Sequence, residues 1–283
     1  MLNKKFSRKK RINFSKQFNL KEQIPINIPE PADCLIIHKY NLLLGTTKKG
    51  IIVMNLDTKQ VLFEIELGEI LFLLPDEERD ELYIIWDMVN LGKFKLSSLL
   101  DYRLGVEESK VWQVQELDNP FGLKFFTLNT GQRVLYVLDT RDGLMVFDTK
   151  DGKQVYSAVL PRKLATGISG VTRMEITPNN EMILLTSDDL TVYQYCSGEW
   201  TILRQVNRVT LGLPSLHWYC MVYEHDSQLI YLSDYSNTVT ILRVNPLMIE
   251  TTHQYEYASS GFYLDQFYGM MYVCESGRIS KYC

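Results

Sequence analysis

Short apolar runs alternate with polar turns along almost the whole chain. From Cys34 to Leu67 the order is CLIIHK, YN, LLLGTT, KKG, IIVMNL, DTKQ, VLFEIEL, which is four strand-length segments with turn residues between them. The order returns from Leu123 as LKFFTL, NTGQR, VLYVLD, TRDG, LMVFDT, KDGK, QVYSAVL. It returns again from Val171 (VTRMEI, MILLTS, LTVYQY, WTILRQV) and from Trp218 (WYCMVY, LIYLSD, VTILRV, then Thr251–Tyr257). A unit from Glu69 (EILFLL, LYIIWD, KFKLSSLL) carries a longer polar connection, Asp101–Ser109, before VWQVQEL. A last unit from Gly261 (GFYLDQF, MMYVCE, RISKYC) stops after its third strand.

The period is about 45 residues, the length of a four-stranded propeller blade, and the count is six. Seven blades would need a further unit inside Leu99–Gln115. Helical periodicity is confined to one turn at Ser97–Leu104. The pattern predicts an all-β chain forming a single β-propeller of six four-stranded blades.

A ring whose last blade lacks its outer strand leaves an exposed edge. Upstream, Ile12, Phe14 and Phe18 alternate with Asn13, Ser15 and Gln17, before Pro25, Pro29 and Pro31 impose an extended connection. Residues 11–20 are therefore expected to supply the missing strand and close the ring. That division makes 1–10 a basic arm and 11–283 the propeller.

Charge sharpens the division. The 283 residues carry a formal net charge of −4. Residues 1–22 hold eight lysines and arginines, Lys4, Lys5, Arg8, Lys9, Lys10 and Arg11 among them, against Glu22. The remainder has 22 basic and 33 acidic residues, a net −11. Such a body repels nucleic acid, so any nucleic-acid contact falls to the arm. The arm also reads as a solvated tail, a nuclear-import signal or a contact for anionic membrane; cleaving it as a presequence would open the ring. The five cysteines are widely spaced and form no C-x-x-C pair, which fits free thiols in a reducing compartment. With no secretory signal and no apolar run of membrane-spanning length, the expected setting is intracellular, cytoplasmic or nuclear.

Aligning the second strand of each unit places Asp87, Asp139, Asp188, Asp234 and Glu275 at its end, with Thr46 in the remaining unit. In a propeller these ends share one face, so five carboxylates would ring the channel mouth and focus a negative potential. With Lys48, Arg141 and Tyr235 nearby, that rim is the candidate site for a basic peptide segment. The competing reading is that each carboxylate caps the turn beside it. The acidic turn Asp76–Glu81 reads as a solvated hairpin end or as a docking point for a basic partner.

Other chemistry is thin. His38, His217, His225 and His253 lie in different units without ligand spacing, so no metal is expected. Gly167-Ile-Ser-Gly170 lacks the order of a nucleophile elbow, and no phosphate-binding glycine loop occurs. No enzyme and no cofactor are predicted.

Met174–Tyr195 (MEITPNNEMILLTSDDLTVYQY) resembles a WD40-type repeat, although Trp-Asp occurs once, at Trp86–Asp87, and no Gly-His opens a unit. The resemblance implies a non-catalytic scaffold for protein–protein interaction within a multiprotein complex. Asp33–Leu56, Lys93–Asp101 and Phe121–Asp139 are similar to the citron homology domain, which implies a regulatory or tethering module that binds a small GTPase.

Overall fold

The computed structural model describes residues 19–25, 33–115, 117–127, 131–139, 143–158, 171–186, 189–196, 199–207, 209–211, 218–234, 237–254, 259–266, 268–275 and 277–283. The basic arm (Lys4, Lys5, Arg8, Lys9, Lys10 and Arg11), and with it Asp188, Arg141 and Tyr235, lies outside them.

The strands form six antiparallel sheets of four. The first strand, β1 (Leu20–Pro25), belongs to the last sheet. Blade one holds β2 (Cys34–Ile37), β3 (Leu42–Thr46), β4 (Gly50–Asn55) and β5 (Val61–Glu66). Blade two holds β6 (Ile70–Asp76), β7 (Glu81–Trp86), β8 (Asn90–Lys95) and β9 (Lys110–Val114). Between β8 and β9 lie two single helical turns, α1 (Leu96–Leu99) and α2 (Val106–Ser109). They occupy the segment that a seventh blade would have needed, and the ring has six.

Blade three holds β10 (Pro120–Thr127), β11 (Arg133–Asp139), β12 (Gly143–Asp148) and β13 (Gln154–Ala158). Blade four holds β14 (Val171–Ile176), β15 (Glu181–Thr186), β16 (Asp189–Cys196) and β17 (Glu199–Asn207). Blade five holds β18 (Trp218–Glu224), β19 (Leu229–Asp234), β20 (Thr238–Arg243) and β21 (Met248–Gln254). Blade six holds β22 (Ser259–Asp265), β23 (Met270–Glu275) and β24 (Arg278–Tyr282), with β1 on its outer edge.

The closing strand pairs Leu20 with Tyr282, Ile24 with Ile279 and Pro25 with Arg278. Asn19 and Cys283 exchange backbone hydrogen bonds at 2.9 and 3.1 Å. An N-terminal strand thus closes the ring, but the edge is occupied by Leu20–Pro25. Residues 11–18 of the segment expected there lie outside the described residues. Pro25 is tolerated because an outermost strand needs no donor on its free side.

The blades are joined through their faces. On β11, Val134, Tyr136 and Leu138 pack toward blade four, and Leu135 and Val137 pack toward blade two. Blade four meets blade five through Ile183, Leu185, Ile230 and Leu232. Blade five meets blade six through Tyr231, Ile241, Met271 and Val273. Ile24, Tyr272 and Cys274 meet Ile36 and Leu43 of blade one, and Leu44 and Ile51 meet Ile84 and Phe94 of blade two. A second strand covered on both faces must be apolar at every position. That is why these strands read LYIIW, VLYVL and MILL in the sequence. Outer strands have one covered face, and β21 alternates exposed and half-buried along its length.

Candidate functional site

The ends of the second strands lie opposite the starts of the innermost strands, Trp86 against Ile70, Asp139 against Pro120, Asp234 against Trp218 and Glu275 against Ser259. This common face is the rim. The chain entering each innermost strand leaves backbone N–H groups without ladder partners, and a side chain at the second-strand end can accept from them. Asp139, 0% exposed, does this: its Oδ2 accepts from the N–H groups of Asp118 (2.8 Å) and Asn119 (3.1 Å). Thr46 Oγ1 accepts from Asp33 N–H at 2.9 Å, and Asp87 Oδ1 from Glu69 N–H at 2.8 Å. Glu275, 1% exposed, turns into its own blade and accepts from Arg278 Nε and Ser280 Oγ, each at 2.7 Å.

The rim is therefore not a ring of five free carboxylates. Asp139 and Glu275 are consumed by their own blades, and Asp87 remains exposed. Asp234 is placed at the strand end by its backbone alone.

The acidic hairpin Asp76–Glu81 binds a neighbouring blade. Glu77 accepts from the N–H groups of His38 (3.2 Å) and Lys39 (2.7 Å), and Asp80 accepts from Lys39 Nζ (3.1 Å) and Tyr40 OH (2.6 Å). Burial would raise the Asp80 carboxyl; hydrogen bonds from Ser97, Tyr40 and Lys39 outweigh it and hold the group at about 2. On its other side His38 bonds Asp265 of blade six, Nε2 to Oδ1, at 3.1 Å. Burial opposes a charge on His38, but the hydrogen bond and charge of Asp265, with Glu77, win and raise its pKa.

The innermost strands enclose a central cavity of about 420 Å³. Apolar walls from Leu73, Leu123, Met221 and Phe262 surround charged groups of both signs. Lys124 Nζ meets Glu175 Oε1 at 2.9 Å, and the Arg173 guanidinium lies 5.6 Å from the Phe72 ring centre. Burial raises the carboxyls of Asp33 and Glu175, with Lys124 and Arg173 pulling them back. The Cys220 thiol is pushed up by burial to about 11 and stays protonated at neutral pH. These groups were missed in the sequence. The signal for them was a lysine and an arginine inside the apolar runs LKFFTL and VTRMEI, on strands too central to leave a charge unpaired. Among the described residues no cluster of three or more His, Cys, Asp or Glu is arranged to hold a metal. None of their helices is long and apolar enough to cross a membrane.

A second concavity, an open groove of about 860 Å³, lies between blades one and two. Trp86 and Asn90 line it, as do Gly68, Lys48 and Lys49 on one side and Val106, Lys110 and Gln113 on the other. The lysine turn is rigid: Thr47 Oγ1 accepts from the N–H groups of Lys49 and Gly50, each at 3.1 Å. Lys49 O accepts from Leu67 and Gly68, also at 3.1 Å each. A side chain at Gly50 (φ +150) would put its Cβ 1.8 Å from Ile65 O, so only glycine lets β4 and β5 close here. Between Trp86 and Asn90, Asp87 (φ 51) and Met88 (φ 61) are both left-handed. Asp tolerates that region; for Met the conformation costs about 1–2 kcal/mol.

No protein-family model and no curated protein matches the chain. Among solved structures, the β-propeller domain of Myceliophteria thermophila Cps50 (Swd1) is similar with a TM-score of 0.64, over 94% of this chain and 99% of that chain, at 11% identity. At that identity the likeness is one of fold, and the fold is a six-bladed β-propeller.

Proposed function

We propose that this chain is a non-catalytic interaction module that holds protein segments within a larger intracellular assembly. The observation that carries this reading is the pre-ordered rim: six apolar seams lock the blades, and the turns of Thr46, Asp87 and Asp139 are fixed by their own hydrogen bonds. A surface ordered before binding loses little entropy on association. The cavity supports the non-catalytic part, since its Lys124 is paired with Glu175 and its thiol is held protonated.

Affinity purification of the tagged full-length protein at moderate salt, with mass spectrometry of what co-purifies, tests the reading. A reproducible set of subunits is the expected result. A single small GTPase, retained in one nucleotide state only, would support a regulatory or tethering module instead. Recovery of the protein alone at both low and moderate salt would overturn the scaffold reading.

A further inference from the structure

The groove between blades one and two combines features that no other described part of the rim shares. Its lysine turn and its flanking β7–β8 turn come from different blades, yet both are rigid. Among the described residues Lys48 and Lys49 have no ion-pair partner, although they project from a body of net charge −11. Lys110 adds a third amino group, and its hydrogen bonds to Glu107, at 2.7 and 2.8 Å, neutralise the exposed Glu107 carboxylate. Glu66 is the other carboxylate on the lining.

Next to these charges, Met88 (49% exposed) and Val89 (42% exposed) stand at the tip of the three-residue turn whose flanks, Trp86 and Asn90, line the groove. Asp87 N–H donates to Glu69 O and Asp87 Oδ1 accepts from Glu69 N–H, while Leu117 N–H donates to Val89 O. The turn is tied at both ends, and Met88 is held left-handed with an apolar side chain in water. A soluble surface gains nothing from that arrangement; a binding surface gains a fixed apolar anchor.

We infer that this groove receives an acidic peptide segment of a partner protein, its carboxylates meeting Lys48 and Lys49 and an apolar side chain seated against Met88 and Val89. The inference rests on the interaction-module reading and supplies the chemistry of its partner. It reverses the charge of the peptide expected at the rim, because the carboxylates of Asp139 and Glu275 are engaged internally while the lysines are not.

The test uses the full chain labelled with ¹³C at its methionine methyls, Met88 being assigned by Met88→Leu. The probe is a capped peptide of alternating Leu and Glu, and the control replaces each Glu by Lys. The expected result is a saturable shift of the Met88 methyl with the Glu peptide alone. Binding should weaken at least about fivefold in K48E/K49E, and by a similar factor between about 50 and about 300 mM NaCl. Both lysines are exposed turn residues, and unchanged resonances of the buried Met145 and Met182 would show the variant is folded.

No saturable Met88 shift at millimolar peptide, equal binding of the Lys peptide, or full binding to K48E/K49E would overturn the inference. If it fails while the same subunits co-purify with wild type and K48E/K49E, the groove is wrong and the scaffold stands. If the Glu peptide binds as expected and the wild type still purifies alone, the scaffold is wrong and the groove stands.

Discussion

Asp139 ends β11 with its carboxylate folded back over the chain that enters β10, so its role is set by two N–H groups with no other partner in the ladder. Asp139→Ala removes the acceptor of both hydrogen bonds from the partly exposed chain entering β10 and should destabilise the protein by about 1–3 kcal/mol. Asp139→Asn keeps one acceptor and should lose about half as much. Urea midpoints measure this directly; an alanine variant no less stable than one at exposed Lys153, within about 0.5 kcal/mol, would remove the capping role. The cysteines separate by the same logic of burial. Cys34, Cys220 and Cys274 are buried and Cys196 is exposed, and burial pushes Cys220 up to about 11. Iodoacetamide on the native protein should therefore label Cys196 first and leave those three intact until unfolding, as read by peptide mass spectrometry. Fast labelling of Cys220 would contradict the buried, protonated thiol. The sequence placed an acid at position 139 but could not say which way it pointed, because a rim carboxylate and a capping carboxylate use the same residue at the same strand end.

The strands were legible and their offsets were not. Second strands announce themselves because both faces are covered, and outer strands because one is. What the apolar pattern hides is a bulge near the start of the innermost strand, at Ile70/Phe72, Pro120/Gly122, Val171/Arg173, Trp218/Cys220 and Ser259/Gly261. One extra residue there inverts which side chains reach the cavity, so the arginine inside VTRMEI marked an unusual charge without showing that it, or Cys220, faced the cavity. The closing strand shows the same limit. Phe14 and Phe18 alternate as well as Leu20, Glu22 and Ile24 do, and only the side chain that fits the seam decides. That side chain is Ile24, 0% exposed in a strand otherwise largely open to solvent. Ile24→Asp places an unpaired carboxylate in the seam and should cost about 3–5 kcal/mol. Hydrogen exchange should then rise across β24, which pairs with β1, while β11, half the ring away, keeps its protection. Unchanged protection of β24 would mean that β1 does not guard that edge.

Six blades joined by six apolar seams make a ring, since an open arc would have five. Each second strand serves two seams at once, so strain at one place passes to both neighbours. Five seams join blades that follow one another along the chain. The sixth, between blades six and one, joins the two ends of the propeller and depends on Ile24, Ile36, Tyr272 and Cys274, with the His38–Asp265 bond across it at 3.1 Å. The groups facing His38 are Asp265, Glu77 and the Tyr268 ring, and together they raise its pKa above the ordinary 6.5 despite burial. A histidine that binds its proton more tightly when folded adds stability below its unfolded pKa and loses it as pH rises through the folded one. The ring-closing seam should therefore weaken from mildly acidic to mildly alkaline pH. Asp80, held at about 2, acts at the other extreme: its contribution is present above the ordinary carboxyl range and is lost as pH falls toward 2. In an NMR titration His38 should titrate above the ordinary value, and His253, lowered by burial, below it. Asp265→Asn should bring His38 down and flatten the fall of Tm between about pH 6 and about pH 8. If Tm falls as steeply in Asp265→Asn as in the wild type, the seam takes its pH dependence from elsewhere, and apolar contact alone holds the ends of the propeller together.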